Sequence, residues 1–421
     1  MLSWAMLAAL GLLGSGPDAY AIRGARIVVG NGQVIENGML LVDHGLIAGV
    51  GRNLSVPAGA WVIEAAGKTV YPGFIDALTT VGLGVKAKPD PEKRGEEVIA
   101  RGPEDRPGAF SFKAAADELV LDDERIAAWR SAGFTSAVAV PVEGVFSGQA
   151  AFINLGGTRA REMVVKSGVA LRVSFSRPGS ARSYPASLMG VLAYVKQVFA
   201  DAAHYRESFR AYEAAPLGKP RPTYDRTLEP LSRAQSETWP VLLPAHLVHE
   251  IERVVALAGE LGVEPVLYGL HQGYAATAIL SQAKIPVLVS LEWPAREKDE
   301  DPEAEEPLRV LELRDRAPST PGALEKAGVR FAFYTGGLEK ADEVRANLRK
   351  AVEAGLTKEG AVSALTLEAA SIFGVQDRLG SLEAGKIANL FIASGDVFDE
   401  KTRIETVLVD GKKFEVRGGE K

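Results

Sequence analysis

Two rhythms of hydrophobic and polar positions divide this chain. Across residues 22–70, apolar and polar residues alternate in short runs such as ARIVV, MLLVDHGLIAGVG and WVIEAAGKTV, separated by turns that carry Asn-Gly, His-Gly and Pro57. Period-two alternation broken at such turns predicts a small antiparallel sheet. From Tyr71 the rhythm changes to buried strands followed by longer helical stretches. Strands are predicted at residues 70–75, 135–141, 241–245, 265–269, 285–291 and 329–335. Helices are predicted at residues 122–132, 185–215, 248–261, 274–284, 321–327, 338–355 and 357–373, the second with Leu188, Leu192, Val195, Phe199 and Ala202 on one face. So many strand-helix units indicate a parallel sheet covered by helices, closed as a (β/α)8, TIM-like barrel. Six of the eight barrel strands are placed; residues 164–176 hold either another strand or a hairpin, so strands three and four stay open. From Gly380 onward short strands return, with Asp410-Gly411 as a hairpin turn. The two ends are therefore expected to meet in one small β-sandwich domain, residues 22–70 with 381–421, around a barrel of residues 71–380. Two polar stretches, residues 85–113 and 295–320, follow barrel strands and are expected over the C-terminal mouth, where barrel enzymes carry their sites.

Composition narrows the possible chemistry. The chain of 421 residues has no cysteine, which excludes disulfides, thiolate catalysis and cysteine-based metal sites. A formal net charge of -6 offers no basic footprint for nucleic acid. Residues 2–16 form an apolar run too short to span a bilayer, followed by the small-x-small tripeptide Ala19-Tyr20-Ala21. This is a signal-peptide pattern over residues 1–21 with cleavage after Ala21. It implies an exported, periplasmic or extracellular protein with no integral membrane span in its mature form; a membrane anchor or a buried helix is the alternative. The acidic run at residues 297–306 lacks the fixed spacing of a calcium loop and reads as a solvated loop.

The segments GARIVVGNGQVIENGMLLVDHGLIAGVG, VYPGFIDA, VFSGQAAFINLGG, PVLLPAHLVHEIERVVALAGELGVEPVLYG and LTLEAASIFGVQDRLGSLEAGKIANLFIASGD, in that order, resemble the amidohydrolase superfamily. The likeness is to its imidazolonepropionase-like and exported bacterial members. The resemblance implies a barrel holding one or two divalent metals such as zinc, a metal-bound water that attacks a carbon–nitrogen bond, and an aspartate after the eighth strand that takes the proton. At the positions where the resemblance places the ligands stand Leu78 and Thr80 after the first strand, Pro244 in the fifth, Gly269 in the sixth and Gly336 after the eighth. None offers a nitrogen or carboxylate donor, so no cofactor is expected. Asp76 remains from the first motif and is a candidate pocket residue, although a buried acid at a strand end most often binds neighbouring backbone. His246, His249 and His271 follow the fifth and sixth strands and are candidate pocket residues, whereas His44 falls in a turn and His204 on a helix. Ser147 is outside any Gly-x-Ser-x-Gly elbow and is not read as a nucleophile.

Three functions follow. The first is a non-catalytic member that binds a small molecule in the barrel mouth, or acts as a homo-oligomer or as a helper paired with a catalytically intact homologue. The second is an active amidohydrolase with a rearranged site at His246, His249 and His271. The third is a binding module that uses the long mouth loops.

Overall fold

The computed structural model describes residues 19–84, 101–177, 184–237, 239–296, 305–338 and 340–416. Its first strands are β1 (Ala19–Val28), β2 (Val34–Asp43), β3 (Leu46–Gly51), β4 (Trp61–Glu64) and β5 (Thr69–Pro72). β1 runs antiparallel to β2 and parallel to β4 and β5. The β2–β3 turn works because His44 and Gly45 both take positive φ, as a two-residue turn matching strand twist requires. Alternation then puts Tyr20, Ile22, Leu40, Val42 and Val70 into one apolar core. Tyr20 and Ala21 are buried in β1, so the cleavage point expected after Ala21 falls inside this strand; residues 1–18 lie outside the described residues.

The predicted strand at residues 70–75 is two strands. β5 belongs to the small sheet, and β6 (Phe74–Thr79) begins the barrel after a break at Gly73. A Cβ at Gly73 would sit 2.0 Å from Thr135 Oγ1, so only glycine lets the chain pass between the two sheets here.

The barrel continues with β7 (Phe134–Ala139), β8 (Phe146–Asn154), β9 (Val164–Val173), β10 (Pro240–Ala245), β11 (Glu264–Gly269), β12 (Val287–Ser290) and β13 (Phe331–Tyr334), neighbours in sequence order. β8 settles the open strands: it is antiparallel to both β7 and β9, so the third staves enter inverted and β9 restores the parallel run. The described part of the first long loop completes β8, since Phe110 N donates to Phe146 O and Gln149 N to Lys113 O, both at 2.8 Å.

Helix α1 (Arg125–Ser131) precedes β7, and the short α2 (Ala160–Met163) precedes β9. α3 (Leu188–Ala214) and α4 (Leu228–Ser236) lie between β9 and β10; α5 (Val248–Leu261) and α6 (Thr277–Ala283) follow β10 and β11. α7 (Leu308–Arg316) and α8 (Thr320–Lys326) precede β13, and α9 (Ala341–Glu353), α10 (Lys358–Ala364) and α11 (Leu367–Ile372) follow it. The helix expected at residues 357–373 breaks at Thr366, whose hydroxyl donates to Val362 O at 2.6 Å while Leu365 O accepts from Ile75 N at 2.7 Å. That contact sets α11 across the end of the barrel opposite the mouth, where Ala369, Ile372 and Phe373 join Ile75, Leu242, Val266, Leu288 and Ala332 in the interior. α7 was hidden in a polar stretch because it buries none of its residues. Residues 297–304 of the acidic run are outside the described residues; Glu306 pairs with Arg314 at 2.7 Å.

β14 (Leu390–Ala393), β15 (Ile404–Val409) and β16 (Lys412–Glu415) then return to the small sheet, β14 pairing with β5 and with β15. The two ends of the chain thus build one sandwich. It is joined to the barrel by a buried polar knot in which Asn389 Nδ2 donates to Asn154 Oδ1 at 2.9 Å and Asn154 Nδ2 to Asp410 Oδ1 at 2.6 Å. Among the described residues no helix is long and apolar enough to cross a membrane.

Candidate functional site at the barrel mouth

Asp76 sits at the seam where the barrel closes. The pairing ladder links β6 to β7 and β13 to β12, and across the remaining gap Thr335 N donates to Asp76 Oδ1 at 3.0 Å and Thr335 Oγ1 to Oδ2 at 2.6 Å. Trp129 Nε1, from α1, adds a third bond at 3.0 Å. The carboxylate is fully buried, and burial pushes its pKa up against the pull of these donors. It faces structure on every side and acts as a clasp between first and last strands.

The other first-strand positions are likewise committed. Leu78 is buried in the interior cluster. Thr80 accepts from Arg125 Nη1 through its hydroxyl and from Nη2 through its carbonyl, both at 2.9 Å, and Arg125 is itself paired with the buried carboxylate of Asp123 at 2.7 Å.

On the opposite wall, β10 and β11 deliver His246 and His271. Ala245 O accepts from Leu270 N at 2.8 Å and His246 O from Gln272 N at 2.9 Å, which ties the two strand ends together. The rings stand 5.1 Å apart between centroids. Burial holds His246 below its ordinary pKa, and burial with the neighbouring His246 holds His271 down at about 4, so both are neutral at pH 7. His271 Nε2 lies 3.1 Å from Glu292 O, which makes this nitrogen the protonated one in the neutral ring. Glu250 Oε2 accepts from His246 N at 2.8 Å and Leu247 N at 3.1 Å, so it serves the first turn of α5. His249 is on the exposed flank of α5. The structure brings His246 and His271 together, but the third histidine does not complete a set. Among the described residues no group of three His, Cys, Asp or Glu side chains is disposed to hold a metal ion.

The donor positions themselves can be tested for fit. Gly269 has φ +111° and a Cβ there would lie 2.7 Å from His246 Cε1 and Nδ1. Gly336 has φ +68°, and its Cβ would meet Ser290 Oγ at 2.7 Å and Glu292 Cβ at 3.0 Å. Both glycines occupy backbone conformations that a side chain disfavours, and the space a histidine or aspartate would need is filled by neighbours. Glu292 Oε2 accepts from Gly337 N at 2.7 Å. Pro244 lines the adjoining cleft with no donor atom. These residues do not fit a divalent metal in the arrangement the resemblance implied.

Beside them opens a cleft of about 630 Å³ between β9, β10, β11, α3 and α5. Its lining includes Arg172, Pro244, His246, His249, Tyr268 and Leu192. Arg172, near the end of β9, donates from Nη1 to Pro141 O and Ser147 Oγ, each at 3.3 Å, and its guanidinium carbon stands 5.5 Å from the centre of the Tyr268 ring. Tyr268 donates to Val173 O at 3.2 Å and packs edge-on against Tyr334. Arg172 and Glu292 were not anticipated. Each is a lone charge directly inside or after an apolar strand, in ALRVSF and VLVSLEW, and that interruption was the available signal.

Residues 246–414 match the model of the Amidohydrolase family. A dihydroorotase of Pelobacter propionicus is 30% identical over 122 residues, 27% of this chain and 29% of that protein. Human dihydropyrimidinase-related protein 5 is 41% identical over 59 residues, 13% of this chain and 10% of its own length. The matched segments thus span less than a third of either relative. An amidohydrolase from Thermotoga maritima has the same fold, with a TM-score of 0.79 at 24% identity over 94% of this chain and 100% of that one. The eight-stranded barrel and the sandwich built from both chain ends are the fold of that amidohydrolase, and within it residues 246–414 carry the sequence match to the Amidohydrolase family.

Proposed function

We propose that this is a non-catalytic member of the superfamily that binds a small molecule at the barrel mouth without a metal. The observation that supports it best is the filling of the donor positions: His246 stands where a side chain from Gly269 would go, and Ser290 and Glu292 where one from Gly336 would go. Superfamily chemistry depends on a metal to lower the pKa of the attacking water. With neither histidine nor carboxylate at those positions, what is left for the mouth is recognition. The cleft walled by Leu188, Leu192, Val254 and Leu257 and floored by Arg172 and Tyr268 has the mixed apolar and polar lining of a ligand pocket.

Metal analysis of protein purified without chelators is the test. We expect no stoichiometric transition metal, and no hydrolysis of cyclic amides or N-acyl amino acids above the uncatalysed rate. A bound equivalent of zinc or manganese that disappears in His246→Ala or His271→Ala would sink this reading. It would favour the second one, a rearranged hydrolytic site, for which the 5.1 Å approach of the two imidazoles speaks. Export is also proposed, on the apolar run at residues 2–16 and Ala19-Tyr20-Ala21. Recovery of the whole, uncleaved chain from the cytoplasmic fraction contradicts it.

A further inference from the structure

Among the described residues that line the cleft, Arg172 is a half-buried cation that neither the barrel's packing nor the helix caps use up. Its Nη1 holds two long hydrogen bonds to Pro141 O and Ser147 Oγ, its Nε is buried without a hydrogen-bond partner, and among the described residues no carboxylate forms an ion pair with it. The acids near it are engaged elsewhere. Glu250 caps α5 through His246 N and Leu247 N, and Glu260 pairs with Lys196 at 2.5 Å. The imidazoles of His246 and His271 are neutral and bring no compensating charge. Arg172 is half-buried, so its charge is only partly screened by water and it has bonding capacity left for an anion. Around it the cleft supplies apolar walls from Phe175, Leu188, Leu192, Val254 and Leu257.

From this geometry we infer that the cleft binds a small organic carboxylate with an apolar or aromatic body, its carboxylate on the guanidinium of Arg172 and its body along α3 and α5. The inference rests on the ligand-binding reading above and names the ligand class. Of the two guanidiniums in the cleft without an ion pair among the described residues, Arg253 is exposed to water and Arg172 is half-buried, and the half-buried one matches a monoanion. Nε is enclosed by protein, so a carboxylate would meet the terminal Nη edge of the guanidinium, whose planar donors match the two oxygens of a carboxylate. A cleft of about 630 Å³ falls within the range of small-molecule pockets. The Tyr268 ring against the guanidinium keeps the fork oriented.

Calorimetric titration of the full chain with phenylacetate, octanoate and N-benzoylglycine, each beside its primary amide, tests the inference. At least one acid should bind saturably and at least tenfold more tightly than its amide. Arg172→Met should abolish that preference, and Arg172→Lys, which keeps the charge but loses the fork, should weaken acid binding by severalfold. Removing an unpaired charge should leave the unliganded Arg172→Met protein at least as heat-stable as the parent, which separates loss of the anchor from loss of fold. Acid and amide binding equally, no binding by any of the three pairs, or an acid preference that survives Arg172→Met each overturns the inference. A metal-free protein that takes acid and amide alike removes the anchor and leaves the ligand-binding reading standing. Stoichiometric metal with intact acid binding at Arg172 does the reverse.

Discussion

Replacing Asp76 tests whether this motif acid is a clasp or a remnant of chemistry. The carboxylate is fully buried and accepts from Trp129 Nε1, Thr335 N and Thr335 Oγ1. In Asp76→Ala the hydroxyl can rotate toward another acceptor, but the indole and backbone N–H groups cannot. Two stranded donors cost about 2–6 kcal/mol between them. Relief of the carboxylate's own desolvation offsets part of that, so the net loss should be about 2–4 kcal/mol. Asp76→Asn keeps one acceptor oxygen but turns an NH2 toward a donor, and should lose about 1–2 kcal/mol. pH supplies an independent check. Because burial raises the folded pKa of Asp76, the folded state holds this proton more tightly than the unfolded chain does. Its contribution is therefore fully present below the ordinary aspartate value of about 3.9 and declines as pH rises through the folded value. Asp76→Asn lacks that decline, so its deficit relative to the parent should shrink as pH rises. Urea unfolding followed by circular dichroism measures the stabilities, and amide exchange at Thr335 reports the seam itself. An Asp76→Ala protein within about 1 kcal/mol of the parent, with Thr335 exchange unchanged, refutes the clasp, as does an Asn deficit that grows with pH.

Two further outcomes follow from the opposite wall. Gly269→Ala should lose about 1–3 kcal/mol in urea unfolding, because its Cβ would lie 2.7 Å from His246 at φ +111°; adding His246→Ala should return only part of the loss, since the backbone strain stays. His271 should titrate near pH 4 by NMR, and its lowered folded pKa means that the unfolded chain binds more protons between about 4 and 6.5. Stability should therefore fall as pH drops through that window, and His271→Gln should flatten the fall; an unchanged slope contradicts it.

Much of this architecture was legible in the chain because its signals are local and periodic. Residues 248–261 show a helix pattern that ends at Gly262, and α5 has those bounds. Where reading failed, a tertiary contact decided. One apolar run became two strands because Gly73 must clear Thr135, and one helical pattern became two helices because Leu365 O is taken by the first barrel strand. β8 was obscure for a different reason: an antiparallel strand inside a parallel barrel has the same buried composition as its neighbours, and direction leaves no mark on periodicity. At the site, that His246 fills the space beside Gly269 could not be read in sequence, because it depends on how two strand ends meet.

The barrel keeps its mouth ordered without nitrogen or carboxylate donors at Leu78, Thr80, Pro244, Gly269 and Gly336. The contacts that hold the mouth run through other atoms: Asp76 to Thr335 at the seam, Arg125 to Thr80 above the first strand, Glu250 to the start of α5, Glu292 to Gly337 after the last strand. Each links a strand end to the next turn or to the far side of the seam, and none needs a metal to make its bond. Asp76 shows the consequence most directly. Read as part of a ligand motif it suggests catalysis, yet its lone pairs are spent on closing the barrel, so its presence reports the fold and carries no information about hydrolysis. Groups whose bonding capacity is still open bear on function instead, and in the cleft beside this mouth the half-buried guanidinium of Arg172, which has no ion pair among the described residues, is such a group.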